Sequence, residues 1–289
     1  MSPALSSPVV STQWLADYLG SDELVVVDAS VSRYIQPNGL GAYLSGHEQY
    51  ILTGHIPGAV FADVIDDFSD PDAPFPFTHP TAERFAAAAG ALGITNSTTV
   101  VVYDSAVGQW AARLWWLFRA FGYDRVAVLD GGLTKWKQEE RETEIGHVEP
   151  VTARFEASER PELWVDKAYV EAVVAGDIEA ALVCAAPQDE FTGAVVTRVR
   201  GGHIPGSISA PAASLVEDDS HALLSDAALR SVLAPALGAP RIVVYCGGGI
   251  AATAAALALT LLGETSVAVY DGSLNEWAAD DSAELVTSA

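Results

Sequence analysis

Short apolar runs rich in β-branched residues alternate along the chain with longer stretches whose apolar residues recur every three or four positions. The short runs, such as those that begin at Leu24, Val100 and Ile242, predict buried strands. The longer stretches predict helices at residues 81–92, 111–121, 225–236 and 251–263. Because strands separated by helices pair as parallel neighbours, the pattern predicts an α/β fold with open, mainly parallel sheets flanked by helices.

The second half of the chain repeats the first. Four sequence blocks recur in the same order and at a nearly constant offset, which indicates an internal duplication. The blocks begin at Leu24, Gly54, Val100 and Val126 in the first half and at Ala181, Gly202, Ile242 and Val267 in the second half. We therefore predict two tandem domains of one fold, at residues 1–145 and 162–289. A polar linker that contains two prolines joins them at residues 146–161.

Size and composition restrict the classes of function. The chain has 289 residues, of which 50% are hydrophobic, so two domains can each bury a core. Its 38 acidic and 15 basic residues give a formal net charge of -23, which argues against nucleic acids and anionic membranes as partners. The longest apolar run, at residues 250–262, is shorter than the ~20 residues needed to span a bilayer.

The N-terminus and the cysteine count indicate a compartment. Residues 1–11 lack the basic and apolar regions of a signal peptide. Two cysteines do not make a disulfide framework, and no Cys/His cluster has the spacing of metal ligands. We expect a cytoplasmic protein that needs no metal and no organic cofactor.

Cys246 is the main candidate for chemistry, since it follows a buried strand and precedes a glycine-rich turn and a helix. In open α/β sheets, sites form beyond the carboxyl ends of the strands. Glycines allow the backbone N–H groups of the turn to point inward as an anion cradle, to which the following helix adds its positive end. We therefore expect a nucleophilic thiolate at Cys246. The N–H groups of the predicted cradle belong to Gly247, Gly248, Gly249, Ile250, Ala251 and Ala252.

A cysteine phosphatase is the rival enzyme for such a loop. Phosphatases of this kind need an arginine six residues after the cysteine to hold phosphate, and this chain has Ala252 there. The loop contains no arginine at all, which excludes phosphatase chemistry.

The motif set resembles that of the tandem-domain rhodaneses, the thiosulfate and 3-mercaptopyruvate sulfurtransferases. The resemblance rests on two copies of Gly-His-Ile-Pro-Gly, two copies of Asp-Gly-(Gly/Ser)-Leu-x-x-Trp, and one copy of Cys-Gly-Gly-Gly-Ile-Ala-Ala. It implies a catalytic second domain that carries sulfur as a persulfide on Cys246. It also implies an inactive first domain, in which Asp104 takes the place of the cysteine. The implied partners are a small anionic sulfur donor and a thiol or cyanide acceptor, with a thioredoxin-like protein among the candidates.

Within this resemblance, the loop after the cysteine distinguishes the sulfur donors. Thiosulfate enzymes generally follow the cysteine with a basic pair, and mercaptopyruvate enzymes generally carry a hydroxyl in the loop. Gly247 and Gly248 provide neither, and the uncharged loop favours the mercaptopyruvate side. Asp63 and His79 match the pair that partners the loop hydroxyl, and Trp110 matches an aromatic residue that faces the loop. A surface position for His79 and ordinary packing for Trp110 are equally consistent with the sequence.

Glu190 is the largest departure from the family pattern, which places a donor-binding arginine before the aromatic residue. A carboxylate there would repel an anionic donor. Arg198 and Arg200 could stand in for a second arginine of the family pattern, although each could also be a solvated loop cation. Glu190 and the bare loop leave an alternative function open, that of a rhodanese-like sulfur carrier or protein-docking module with little turnover of small donors.

Overall fold

The structure is a computed structural model, and it describes residues 3–36 and 41–287. The chain divides into two compact units. The first comprises Met1–Pro71, His79–Arg160 and Glu217–Leu223; the second comprises Asp72–Thr78, Pro161–Val216 and Leu224–Ala289. Each half of the sequence thus contributes one short segment to the unit formed mainly by the other half.

A five-stranded sheet forms the centre of the first unit. Its strands are β1 (Val9–Val10), β2 (Leu24–Asp28), β5 (Val60–Phe61), β6 (Thr99–Tyr103) and β7 (Val126–Leu129). They lie in the order β1-β7-β6-β2-β5, and every neighbouring pair is parallel. An antiparallel hairpin of β3 (Val31–Ile35) and β4 (Gly41–Ser45) follows β2.

The helices of the first unit are α1 (Thr12–Tyr18), α2 (His47–Thr53), α3 (Ala82–Ala91), α4 (Gln109–Ala120) and α5 (Gly132–Gln138). Helix α4 follows β6 and is buried along almost its whole length, including Trp115 and Trp116. Helix α3 begins after Thr81, whose hydroxyl accepts a hydrogen bond from the N–H of Arg84 and so caps the helix.

The second unit has the same topology as the first. Its strands are β8 (Trp164–Val165), β9 (Ala181–Cys184), β10 (Ile208–Ser209), β11 (Ile242–Tyr245) and β12 (Val267–Tyr270). They lie in the order β10-β9-β11-β12-β8, all parallel, which is the order of their counterparts in the first unit. The helices are α6 (Lys167–Ala175), α7 (Gln188–Thr192), α8 (Asp226–Leu233), α9 (Ile250–Leu261) and α10 (Ser273–Trp277). Short 3-10 helices lie at Pro161–Leu163 and Ala212–Leu215.

The predicted α/β fold and the predicted duplication are confirmed by this repeated strand order. All four helices expected from the sequence are present. Helix α8 ends at Leu233, earlier than the periodicity predicts, because Pro235 has no N–H with which to continue the helix. No helix among the described residues has the length and apolar character needed to cross a membrane.

The repeated Gly-His-Ile-Pro-Gly turn is fastened in the same way in both units. The ring of His55 stacks on Tyr50 at 3.9 Å and hydrogen-bonds the carbonyl of Tyr50 through Nδ1. The ring of His203 stacks on Phe191 at 3.6 Å and hydrogen-bonds the carbonyl of Phe191 through Nδ1. Each histidine therefore ties its turn to the preceding helix, which is a structural role.

Candidate active site

Cys246 lies between the carboxyl end of β11 and the beginning of α9, as the sequence predicts. It is buried, with 3% of its surface exposed. Of the three glycines that follow it, Gly249 alone has a left-handed backbone, with φ of 79°. That conformation turns the chain into α9 and favours glycine. Gly247 and Gly248 have no such backbone requirement, so their lack of a side chain has another cause.

Ser273 holds both ends of the cysteine loop. Its Oγ accepts hydrogen bonds from the N–H groups of Cys246 and Gly249, each at 3.1 Å, and donates to the carbonyl of Tyr270 at 2.8 Å. In two further hydrogen bonds the loop accepts: the N–H of Leu274 donates to the carbonyl of Cys246, and the N–H of Asn275 donates to the carbonyl of Gly247. The loop is thus fixed in place by the turn after β12. Sequence analysis missed Ser273; the available signal was that this position is Gly132 in the first copy.

The equivalent turn of the first unit contains an occupied anion cradle. One carboxylate oxygen of Asp104 accepts hydrogen bonds from the N–H groups of Ala106 and Gly108, at 2.8 and 3.0 Å. The other accepts from Trp110 and Ala111, at 2.9 and 3.0 Å. Burial raises the pKa of the Asp104 carboxyl, and the four N–H groups oppose that rise because they favour the charged form. A strand–turn–helix of this fold can therefore surround an anion with backbone donors.

Arg198 and Glu190 form an ion pair beside the cysteine loop. Nη2 of Arg198 lies 2.7 Å from Oε2 of Glu190, and their side chains are 12% and 17% exposed. The same nitrogen lies 2.8 Å from the position that a Cβ on Gly247 would take. Glycine at 247 therefore leaves room for the guanidinium. The negative charge of Glu190, which was expected to repel an anionic donor, is largely offset by the positive charge of Arg198.

The second glycine of the loop makes room for a different side chain. A Cβ on Gly248 would lie 2.8 Å from Nδ2 of Asn275 and 3.6 Å from Cδ2 of Phe77. Sequence analysis missed Asn275 and Phe77, because nothing in their local sequence indicates contact with the loop.

Arg200 occupies a different environment from Arg198. Its guanidinium donates hydrogen bonds to the carbonyls of Trp277, Ala278, Asp280 and Ala283. These four carbonyls engage every side-chain nitrogen of Arg200, which favours a structural role in fastening the C-terminal segment.

The other residues singled out from the sequence belong to the first unit. Oδ1 of Asp63 accepts hydrogen bonds from the N–H groups of Ile65 and Asp66. Nδ1 of His79 lies 3.2 Å from the carbonyl of Pro80. Trp110 is 1% exposed and contacts Tyr43 edge-on at 5.3 Å, which favours packing. The relay role expected of Asp63 and His79 and the donor-binding role expected of Trp110 stay predictions.

The second cysteine lies on the strand next to Cys246. Cys184 ends β9, pairs in register with Tyr245, and is fully buried. Burial raises the pKa of the Cys184 thiol to about 12, so this thiol is protonated at neutral pH. Among the described residues, no group of three or more His, Cys, Asp or Glu side chains is placed to hold a metal ion.

Comparisons with known proteins agree with this architecture. A family model described as a rhodanese-like domain matches the chain twice, at residues 11–139 and 175–280. The 3-mercaptopyruvate sulfurtransferase of Escherichia coli (strain K12) is 33% identical over 276 residues, which cover 93% of this chain and 94% of that protein. The thiosulfate sulfurtransferase of Gallus gallus is 32% identical over 283 residues, covering 95% and 94%. The crystal structure of the 3-mercaptopyruvate enzyme SseA from Escherichia coli has a TM-score of 0.81 at 32% identity, and covers 93% of this chain and 99% of that chain.

Proposed function

The chain belongs to the family of rhodanese-like proteins, and from this membership we propose that it is a sulfurtransferase that carries a sulfane sulfur as a persulfide on Cys246. Relatives named sulfurtransferases match nearly the whole chain. The observation that carries the assignment to Cys246 is the pair of equivalent turns. One turn already surrounds the carboxylate of Asp104 with backbone donors, and the other begins with a cysteine at the same strand end.

The first half-reaction loads the sulfur. The Cys246 thiolate attacks the outer sulfur of the donor, and a new S–S bond forms as the bond between that sulfur and the rest of the donor breaks. The electron pair of the broken bond leaves with the donor remnant. The guanidinium of Arg198, next to the loop at Gly247, is placed to attract the donor's anionic group.

The second half-reaction unloads the sulfur. A thiolate or cyanide attacks the terminal sulfur of the persulfide, and Cys246 leaves as the thiolate with which the cycle began. Both steps are displacements at sulfur with no net change of redox state in the protein, so the chemistry requires neither a metal nor an organic cofactor. We propose a small thiol, cyanide or a thioredoxin-like protein as the acceptor.

The protein's main contribution is a backbone cradle that is in place before the persulfide forms. Ser273 fixes the ends of the loop and engages the N–H of Gly249, which therefore does not serve in the cradle as the sequence predicts. The first N–H groups of α9 have no carbonyl partner within their own helix. Preorganised donors of this kind stabilise developing negative charge, and loss of one such donor costs about 10² to 10³ in kcat in well-studied enzymes.

The pairing of Glu190 with Arg198 weakens the case for the carrier alternative, which relied on an uncompensated carboxylate in the donor site. We therefore propose turnover of a small anionic donor, thiosulfate or 3-mercaptopyruvate. We also propose a cytoplasmic location, because Cys184 and Cys246 are both free thiols and a reducing compartment keeps the reactive one available.

Mass spectrometry tests the assignment. The purified protein is incubated separately with thiosulfate and with 3-mercaptopyruvate, and the peptide that contains Cys246 is analysed without reducing agent. We expect a gain of one sulfur atom on that peptide and no gain in the Cys246→Ser variant. Folded protein that gains no sulfur from either donor would refute the proposal.

A further inference from the structure

Asn275 is the side chain that lies nearest to the space where a side chain at position 248 would begin. Gly248 does not have a left-handed backbone, so its conformation alone would accept an L side chain. A Cβ there would, however, lie 2.8 Å from Nδ2 of Asn275, closer than side-chain carbons normally approach other atoms. The carbonyl of Pro76 at 3.7 Å and Cδ2 of Phe77 at 3.6 Å border the same position.

The backbone of Asn275 is fastened directly to the cysteine loop. Its N–H donates to the carbonyl of Gly247 at 2.9 Å, one residue after Cys246. The preceding residue, Leu274, donates to the carbonyl of Cys246 itself at 3.0 Å. The backbone of Asn275 is therefore fixed against the loop, and its carboxamide lies beside Gly248, two residues after the sulfur-bearing cysteine.

The carboxamide of Asn275 can form hydrogen bonds with a ligand. No residue in the described part of the chain forms a hydrogen bond with the side chain of Asn275, so its two N–H donors are available to a small molecule at the loop. An amide N–H can stabilise an anion by hydrogen bonding. Unlike a hydroxyl, thiol or imidazole, it cannot give a proton to that anion near neutral pH.

We infer that the carboxamide of Asn275 is a specificity-determining group that donates a hydrogen bond to the anion leaving the sulfur donor. Because an amide N–H stabilises a leaving anion without protonating it, the site favours donors whose remnant is stable without a proton. This inference rests on the proposed sulfurtransferase function and narrows its donor class. The chain supplies no proton donor on the loop itself, since residues 247–249 are all glycine.

The two donor chemistries differ in this respect. When Cys246 attacks thiosulfate, the S–S bond of thiosulfate breaks and its electron pair stays on sulfite, a stable anion that needs no proton. When Cys246 attacks 3-mercaptopyruvate, the C–S bond breaks and its electron pair stays on the enolate of pyruvate. That enolate becomes pyruvate only after it takes a proton, and the three glycines of the loop have no side chain that could give one. The geometry thus favours thiosulfate and other donors with stable leaving anions, in contrast to the mercaptopyruvate preference that an uncharged loop indicates.

The test compares kcat and KM for both donors in the wild-type protein and in the variants Asn275→Asp and Asn275→Ala. Aspartate keeps the shape of asparagine but has no N–H donors and adds a negative charge, so its KM should rise with either anionic donor while its kcat reports the lost hydrogen bond; alanine removes the donors without adding charge. We expect wild-type kcat/KM to be higher with thiosulfate. Both variants should lose about 10²-fold in kcat with thiosulfate, and in Asn275→Ala the KM should change by less than about threefold. The kcat with 3-mercaptopyruvate should change much less.

Three outcomes would overturn the inference. Equal losses with both donors would mean that Asn275 only supports the loop, and wild-type activity in Asn275→Asp would mean that its N–H groups are not used. A higher wild-type kcat/KM with 3-mercaptopyruvate would contradict the predicted donor class. In each case, persulfide on wild-type Cys246 would leave the proposed function intact, whereas no persulfide with either donor would overturn both. Thermal unfolding of the variants identifies any loss that comes from misfolding.

Discussion

Arg198 contacts both the carboxylate of Glu190 and the loop that carries Cys246. Its Nη2 lies 2.7 Å from Oε2 of Glu190, and the same nitrogen lies against Gly247 of the cysteine loop. Oε2 of Glu190 also accepts a hydrogen bond from the hydroxyl of Thr197, which holds the carboxylate in place. An anionic donor that approaches Cys246 must therefore compete with Glu190 for the guanidinium.

Glu190→Gln should strengthen the binding of an anionic donor, because it removes that competing charge and leaves Arg198 free to pair with the donor. A gain of about 1 kcal/mol would lower the KM for thiosulfate about fivefold, with kcat nearly unchanged. Steady-state kinetics measure this. Glu179→Gln, at an exposed position of the same unit, changes the net charge equally and serves as the control. A higher KM in Glu190→Gln would instead mean that Glu190 is needed to position Arg198.

Removal of the Ser273 hydroxyl should slow sulfur transfer, because it takes the acceptor away from the N–H groups of Cys246 and Gly249. We expect kcat to fall at least about tenfold in both Ser273→Ala and Ser273→Gly. Ser273 has φ of 50°, so glycine relieves backbone strain that alanine keeps. Ser273→Gly should therefore unfold at a higher temperature than Ser273→Ala while remaining equally slow. Exposed Ser282→Ala is the matched control, and an unchanged kcat in both Ser273 variants would contradict the role assigned to its hydroxyl.

The effects of Gly248→Ala and Asn275→Ala on the folding free energy should not be additive. The single Gly248→Ala change places a Cβ 2.8 Å from Nδ2 of Asn275, the end of a side chain that can turn aside, and should cost about 1 kcal/mol of folding free energy, the low end of overpacking. In the Asn275→Ala background the obstructing atom is gone, so the same change should cost much less. Chemical denaturation of the four proteins in this double-mutant cycle measures the coupling. Additive free energies would show that the two side chains do not compete for the same space.

The two cysteines should differ sharply in reactivity. Burial raises the pKa of the Cys184 thiol to about 12, so between pH 6 and about 9 it stays protonated and unreactive. Iodoacetamide at neutral pH should modify Cys246 alone, and Cys184→Ser should keep most of the sulfurtransferase activity that Cys246→Ser abolishes. Peptide mapping after alkylation provides the measurement. Preferential labelling of Cys184 would contradict the assignment of the nucleophile.

The sequence predicts what depends on local pattern and on repetition. The strand that ends at Cys246 and the helix after it are visible as an apolar run, a glycine turn and a second apolar run, and the duplication identifies Asp104 as the counterpart of the cysteine. The contacts made by Ser273 and Asn275 depend on how the turn after β12 packs on the loop after β11. Local periodicity carries no information about such packing.

The glycines illustrate the same limit in another way. Sequence reasoning attributes all three to a tightly curled backbone, yet only Gly249 has the left-handed conformation that favours glycine. The ends of the Arg198 and Asn275 side chains lie in the space next to Gly247 and Gly248. Glu190 was likewise expected to repel the donor, because the sequence does not reveal that Arg198, eight residues later, folds back to pair with it.

The occupied cradle at Asp104 bears on how many sulfur atoms one chain can carry. Its four backbone donors are already bound to a covalently attached carboxylate, which can be neither displaced by substrate nor loaded with sulfur. A chain built from two copies of one fold should therefore carry one sulfur atom at a time. We expect that duplication does not double the sulfur capacity, and that the kinetics show one class of site without cooperativity within a chain.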